Sequence, residues 1–285
     1  MFAVGLAAAL VASVLFNVGI ALQALDAREA PKDEGLRLSL LGRLFRRKRW
    51  VAGFVLGAIG FLFEVLAFGD APFVVVQPAL AVGLLLLLVL GVRMLGEPVG
   101  RPEVVGVGAI VAGITLIAWG APDHVEVHRS PGQVVAVVAI LATLSVLPIA
   151  LRGTRIDRGM VIIVASAIGF GASNIATKLM SDDMNGHHYV VGGLWFLVAL
   201  VTGVAAVLTE MTALQRLAAT TAVPISFAIQ TFLPIVLEPL FLRESLKTAE
   251  FGGAPVAGGM LLLLFGILLV ARTRAVALLA GGTVV

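Results

Sequence analysis

Between Phe2 and Ala271 the chain carries nine apolar runs, each of a length that crosses the hydrocarbon of a lipid bilayer. About 20 mostly apolar residues traverse roughly 30 Å, and in that layer every backbone amide must find its partner inside its own helix. The runs lie near 2–25, 50–69, 71–92, 104–120, 134–151, 159–178, 189–209, 218–242 and 253–271. Only 13% of the residues are charged and the mean hydropathy is +1.07, whereas a soluble domain keeps roughly a quarter of its residues charged. The expected fold is an all-α integral membrane protein with nine transmembrane helices. The first run lacks a basic leader and is too long for a signal peptide, so it is expected to stay in the mature chain.

The loops set the orientation. The stretch REAPKDEGLRLSLLGRLFRRKRW holds eight of the twenty Lys and Arg residues. If it is cytoplasmic, alternate loops on that side hold sixteen basic residues, and the outer loops and their borders hold four: Arg129, Lys178, Arg243 and Lys247. Such an asymmetry places the N-terminus outside and the C-terminus in the cytoplasm of a multi-pass cell-membrane protein, with a bacterial inner membrane fitting the short loops. It also accounts for the net charge of +3 without nucleic acid. Leu36–Arg49, with spaced leucines and six basic residues, reads as an amphipathic helix lying on the anionic inner leaflet.

The two halves resemble each other. Glu64 and Glu210 are 146 residues apart, as are Pro78 and Pro224; Glu97 and Glu244 are 147 apart, as are Glu103 and Glu250. Ile20-Ala21 and Ile175-Ala176 are 155 apart, the difference falling where the first basic loop is longer. Residues 1–120 then form a first four-helix repeat that includes the basic loop 26–49. Residues 121–158 hold a connector helix, and 159–285 form the second repeat and a short tail. An offset of five spans is odd, so the second copy is inverted. Inverted repeats are a mark of secondary transporters, with the substrate held near the midplane between them.

Glu64 stands inside an apolar run, where a carboxylate is costly and ordinarily faces a protein interior or a water-filled path, able to carry a proton or ligate a cation. Glu238, in PIVLEPLFL, sits between Pro234 and Pro239, which are expected to kink its helix. Glu210 reads as a solvated helix end, and Glu97 and Glu244 as caps or loop ion pairs. Asn17, Gln77, Gln230, and the pairs Asn174/Lys178 and Ser173/Thr177 at i,i+4 spacing form a sparse polar set converging from several helices. Amides and hydroxyls of this kind serve either as helix–helix glue or as a cavity lining. Pro78 and Pro224 mark repeat-related helices. His124, His128, Asp182 and Asp183 crowd the outer loops, a weak candidate for metal.

The order Ala71-Pro72, Gln77-Pro78, Glu97 and a glycine-rich helix resembles the drug/metabolite transporter superfamily, including its EamA-like members. Ala213-Leu214, Val223-Pro224-Ile225, Thr231 and Glu244 follow in an order similar to its NIPA-like magnesium transporter branch. The resemblance implies nine spans with a shortened first half, and transport. No Walker loop, HExxH, serine triad or cysteine offers enzyme chemistry or a cofactor site. A mostly aliphatic, glutamine-bearing cavity with few acids favours a small organic solute moved by alternating access; a divalent cation such as Mg²⁺ is the alternative. A non-transporting scaffold, in which all buried polar groups pair off, is a reading of another class. The expected partners are the substrate and the bilayer, with homodimerisation left open.

Overall fold

The computed structural model describes residues 2–71, 73–120, 131–152, 159–242 and 253–279. All regular structure among them is helical. The elements are α1 (Phe2–Glu29), α2 (Leu38–Leu44), α3 (Lys48–Asp70), α4 (Phe73–Leu95), α5 (Arg101–Gly120), α6 (Pro131–Ala150), α7 (Gly159–Asn185), α8 (Tyr189–Leu214), α9 (Ala219–Leu242) and α10 (Ala254–Leu279), with a single 3₁₀ turn at Lys32–Glu34. Eight of the helices are long and apolar enough to cross a membrane. The expected count of nine is not reached among the described residues, where α9 contributes the shorter apolar stretch Ala219–Leu233. It nevertheless runs as one helix across Pro224, Pro234 and Pro239.

α1 packs along α3 and α4, α7 along α8, α6 and α9, and α5 along α10. α9 is central, touching α4, α5, α7 and α10. Without a strong hydrophobic drive between helices in lipid, close backbone approach has to do the work, and it needs residues without side chains. The α5–α10 seam meets that need. A Cβ on Gly113 would lie 2.8 Å from the Gly259 carbonyl oxygen, and one on Gly259 would lie 2.6 Å from the Gly113 carbonyl oxygen. Gly106 and Gly266 meet in the same way two turns along, with values of 3.2 and 2.6 Å.

One face of the bundle gathers most of the basic residues among those described. The Gln215 amide at the end of α8 donates to the carbonyls of Ala30 and Pro31, Arg152 after α6 donates to the Asp33 carbonyl, and Gly106 near the start of α5 lies against Val270 of α10. On the opposite face Gly5 meets Ala71, and Gly120 meets Pro255 and Val256.

The loop after α1 folds inward. Leu36, Leu40, Leu41 and Leu44 are buried in the core with Trp50, Met211 and Leu214, and the Leu36 N–H donates to Thr212 Oγ1 at 2.9 Å. The leucines of α2 therefore face protein rather than lipid, leaving Leu38 and Phe45 exposed. Arg43 grips Glu34 with two hydrogen bonds, one of them Nε to Oε2 at 2.8 Å. These bonds hold the Glu34 carboxyl below its ordinary range and raise Arg43.

Candidate functional site

Polar side chains inside the bundle divide into those absorbed by packing and those left over. Ser13 Oγ donates to the Leu80 carbonyl at 2.8 Å, and Asn17 Nδ2 donates to the Ser13 carbonyl at 2.8 Å. Both side chains press against Gly83 of α4, where a side chain would collide with them. Asn17 is thus part of the α1–α4 contact. Ser173 Oγ donates to the Ala199 carbonyl of α8 at 2.9 Å, and Thr177 Oγ1 to its own helix at the Ser173 carbonyl. Ser166, which the sequence reading passed over, bonds across the same pair to the Ala206 carbonyl at 2.8 Å.

The leftover groups lie elsewhere. Gln77 Oε1 on α4 and Ser226 Oγ on α9 are buried without a hydrogen-bond partner among the described residues. Orphaned acceptors of this kind cost free energy unless something outside the chain satisfies them. Gln230, one turn beyond Ser226, is half-buried.

Two acids join them. Glu64 is half-buried on α3, on the same face as the buried Gly60 and Ala67 that turn toward α1. Glu210 on α8 is only 9% exposed. Neither has a hydrogen bond or ion pair with any described residue. The burial of Glu210 overturns the expected solvated helix end: α8 continues to Leu214, and the folded loop with Leu36 and Leu44 covers its last turns. Glu97, by contrast, is a buried cap. It accepts the backbone N–H groups of Ala219 and Thr220 at 2.6 and 2.8 Å, and pairs with Arg28 rather than with neighbouring Arg93.

Burial changes along two helices in the same sense. On one stripe of α7, Ile163 and Ala167 near the basic face are fully buried, Phe170 is half-buried, and Asn174 and Lys178 toward the far face are exposed. On α9, Ala219, Thr220, Ala222, Ile225 and Ala228 are buried, whereas Gln230 through Leu233 are half-buried. Along this stripe of α7 burial gives way to exposure toward the far face, and α9 is less buried at Gln230–Leu233 than over its first turn.

Glu238 lies on α9 toward its far end. His124 and His128 fall outside the described residues. Asp183 stands 3.9 Å from His188, and no group of three or more metal-ligating side chains occurs among the described residues.

A family model described as magnesium transporter NIPA matches residues 1–276. Comparison with curated proteins and with solved structures gives no match.

Proposed function

We propose, because the chain belongs to the NIPA family of magnesium transporters, that it moves a divalent cation, Mg²⁺ in the first place, across the membrane by alternating access. A family match over nearly the whole chain carries the cation over the small organic solute. The organic reading rests only on the aliphatic lining and the scarcity of acids.

Three features support the mechanism. Glu64 and Glu210 occupy equivalent places 146 residues apart, each a membrane-embedded carboxyl that no described residue neutralises. A hard cation takes oxygen ligands and gives up its water reluctantly, so carboxylates, the Gln77 amide oxygen and the Ser226 hydroxyl suit a partly hydrated ion passing through. Gly106, Gly113 and Gly120 of α5 recur in the sequence at 252, 259 and 266, again 146 apart, and Gly106 and Gly113 meet Gly266 and Gly259 antiparallel. That arrangement is expected when two inverted four-helix repeats face each other across a two-fold axis in the membrane plane. The exposed Asn174 stripe of α7 and the half-buried Gln230 of α9 fit a path entered from the far face. In this reading the chain crosses the bilayer nine times, its basic face is cytoplasmic and its N-terminus is outside.

The test is Mg²⁺ uptake by liposomes holding the purified chain and an Mg²⁺-sensitive dye. The expected result is saturable, gradient-driven influx that Glu64→Gln reduces at least tenfold with folding intact. Influx no faster than in empty liposomes, alongside uptake or thermal stabilisation by an organic solute, would return the assignment to the organic class.

A further inference from the structure

At the basic face, one contact joins groups from both halves of the chain. Glu97 follows α4 and its side chain is 4% exposed. Its Oε1 receives the Arg28 guanidinium, from the last turn of α1, and the Ala219 N–H at 2.6 Å. Its Oε2 receives the Thr220 N–H at 2.8 Å and the Thr220 hydroxyl at 2.5 Å. Arg28 also donates to the Leu95 carbonyl at 3.4 Å. One carboxylate of the first half thereby satisfies the free N–H groups that begin α9 in the second half and complements the positive end of its dipole, while Arg28, from the same half as Glu97, neutralises it. Gly91 of α4 makes room for the contact: a side chain there would collide with Thr220 Cγ2 and approach Glu97 Oε2.

From this juxtaposition we infer that Arg28, Glu97 and Thr220 form the latch that closes the transport path at the basic face, and that the path opens to that side only when α9 leaves Glu97. The inference rests on the alternating-access reading, not on the identity of the cargo. A cap that served one helix alone would draw its groups from that helix or its own loop. Here they come from positions 28, 97 and 220, and they meet at the first turn of α9, where Ala219, Thr220, Thr221 and Ala222 are all buried. Every bond to Glu97 at the latch is to a charged acceptor and is replaceable by water, so it suits a contact that must be strong when closed and reversible.

The absence of cysteine makes the test direct. Ser226, six residues beyond Thr220 and 1% exposed, is replaced by cysteine to give a single thiol in the full chain in nanodiscs. Its reaction rate with a charged, membrane-impermeant maleimide is then followed. The parent thiol is expected to react slowly. Adding Glu97→Gln should raise the rate about tenfold or more, and Thr220→Val, which removes one hydroxyl donor, should raise it by a smaller factor. If Glu97→Gln does not fold, Thr220→Val decides. Unchanged labelling in a folded variant, with only the melting temperature lowered, would make Glu97 a helix cap and overturn the latch. Labelling requires no substrate. Mg²⁺ flux is read separately on the cysteine-free chain, which keeps Ser226: expected labelling with no such flux keeps the latch and loses the cation assignment, and flux with unchanged labelling does the reverse.

Discussion

The carboxylate of Asp26 accepts the backbone N–H of Trp50 at 2.8 Å through one oxygen and receives Arg47 and Arg49 at 3.2 and 3.0 Å through the other. This joins the end of α1 to the start of α3 and fixes the return of the basic loop. Trp50, held there, is fully buried and donates its indole N–H to Met211 Sδ of α8 at 3.2 Å, so the same corner also reaches the second half of the chain.

Asp26→Asn preserves shape but removes the charge facing two guanidinium groups. With Asp26 only 2% exposed, a loss of about 2 kcal/mol is expected, read as a lower melting temperature in detergent. Glu29→Gln touches the same arginines at a site 50% exposed and should change stability far less. Equal effects from the two substitutions would contradict the assignment.

Gly113→Val forces a side chain into the Gly259 carbonyl and the backbone of Leu263. Overpacking of this kind costs roughly 1–3 kcal/mol, and more where backbone has to move. Gly108, with nothing within 4 Å of its would-be Cβ, is the control: Gly108→Ala should be neutral or slightly stabilising. Thermal denaturation of both variants checks the seam.

Glu210→Gln removes a buried carboxyl that no described residue pairs with. If Glu210 serves the ion path, the variant should be at least as stable as the parent while Mg²⁺ uptake falls about tenfold or more, a separation typical of sites kept for activity rather than folding. Loss of stability without loss of uptake would give Glu210 a structural role.

Glu34 supplies a pH prediction. Its folded carboxyl is held below the unfolded range by the Arg43 hydrogen bonds, so the contribution of this pair is present above the unfolded range and is lost as pH falls through the folded value. The pair is exposed, so the effect on stability should be slight and should shrink with salt. Arg43→Gln should return the Glu34 titration, followed by carboxyl carbon chemical shift, to the ordinary range.

The apolar runs and the gathering of basic residues on one face were legible because both follow from local composition. Glu97 as a cap was legible in type, since an acid at a helix end has few other uses, but its partner was not: Arg28 lies 69 positions away, whereas Arg93 is only four away. Glu210 was misjudged for a related reason. A hydropathy window ends α8 at the first acid, and nothing local reveals that Leu36 and Leu44 return to cover that turn. Asn17 and Ser173 belong to contacts whose glycine and alanine partners sit on other helices, so spacing along one helix could not separate glue from lining.

The α5–α10 seam has a consequence for descent. Each helix offers the other the same glycine series, so a single shorter polypeptide able to insert either way up would have paired with its own copy through this surface. On the proposed reading of two inverted repeats, duplication and fusion of one gene would have needed only a linker of odd crossing number, the role that reading gives to α6.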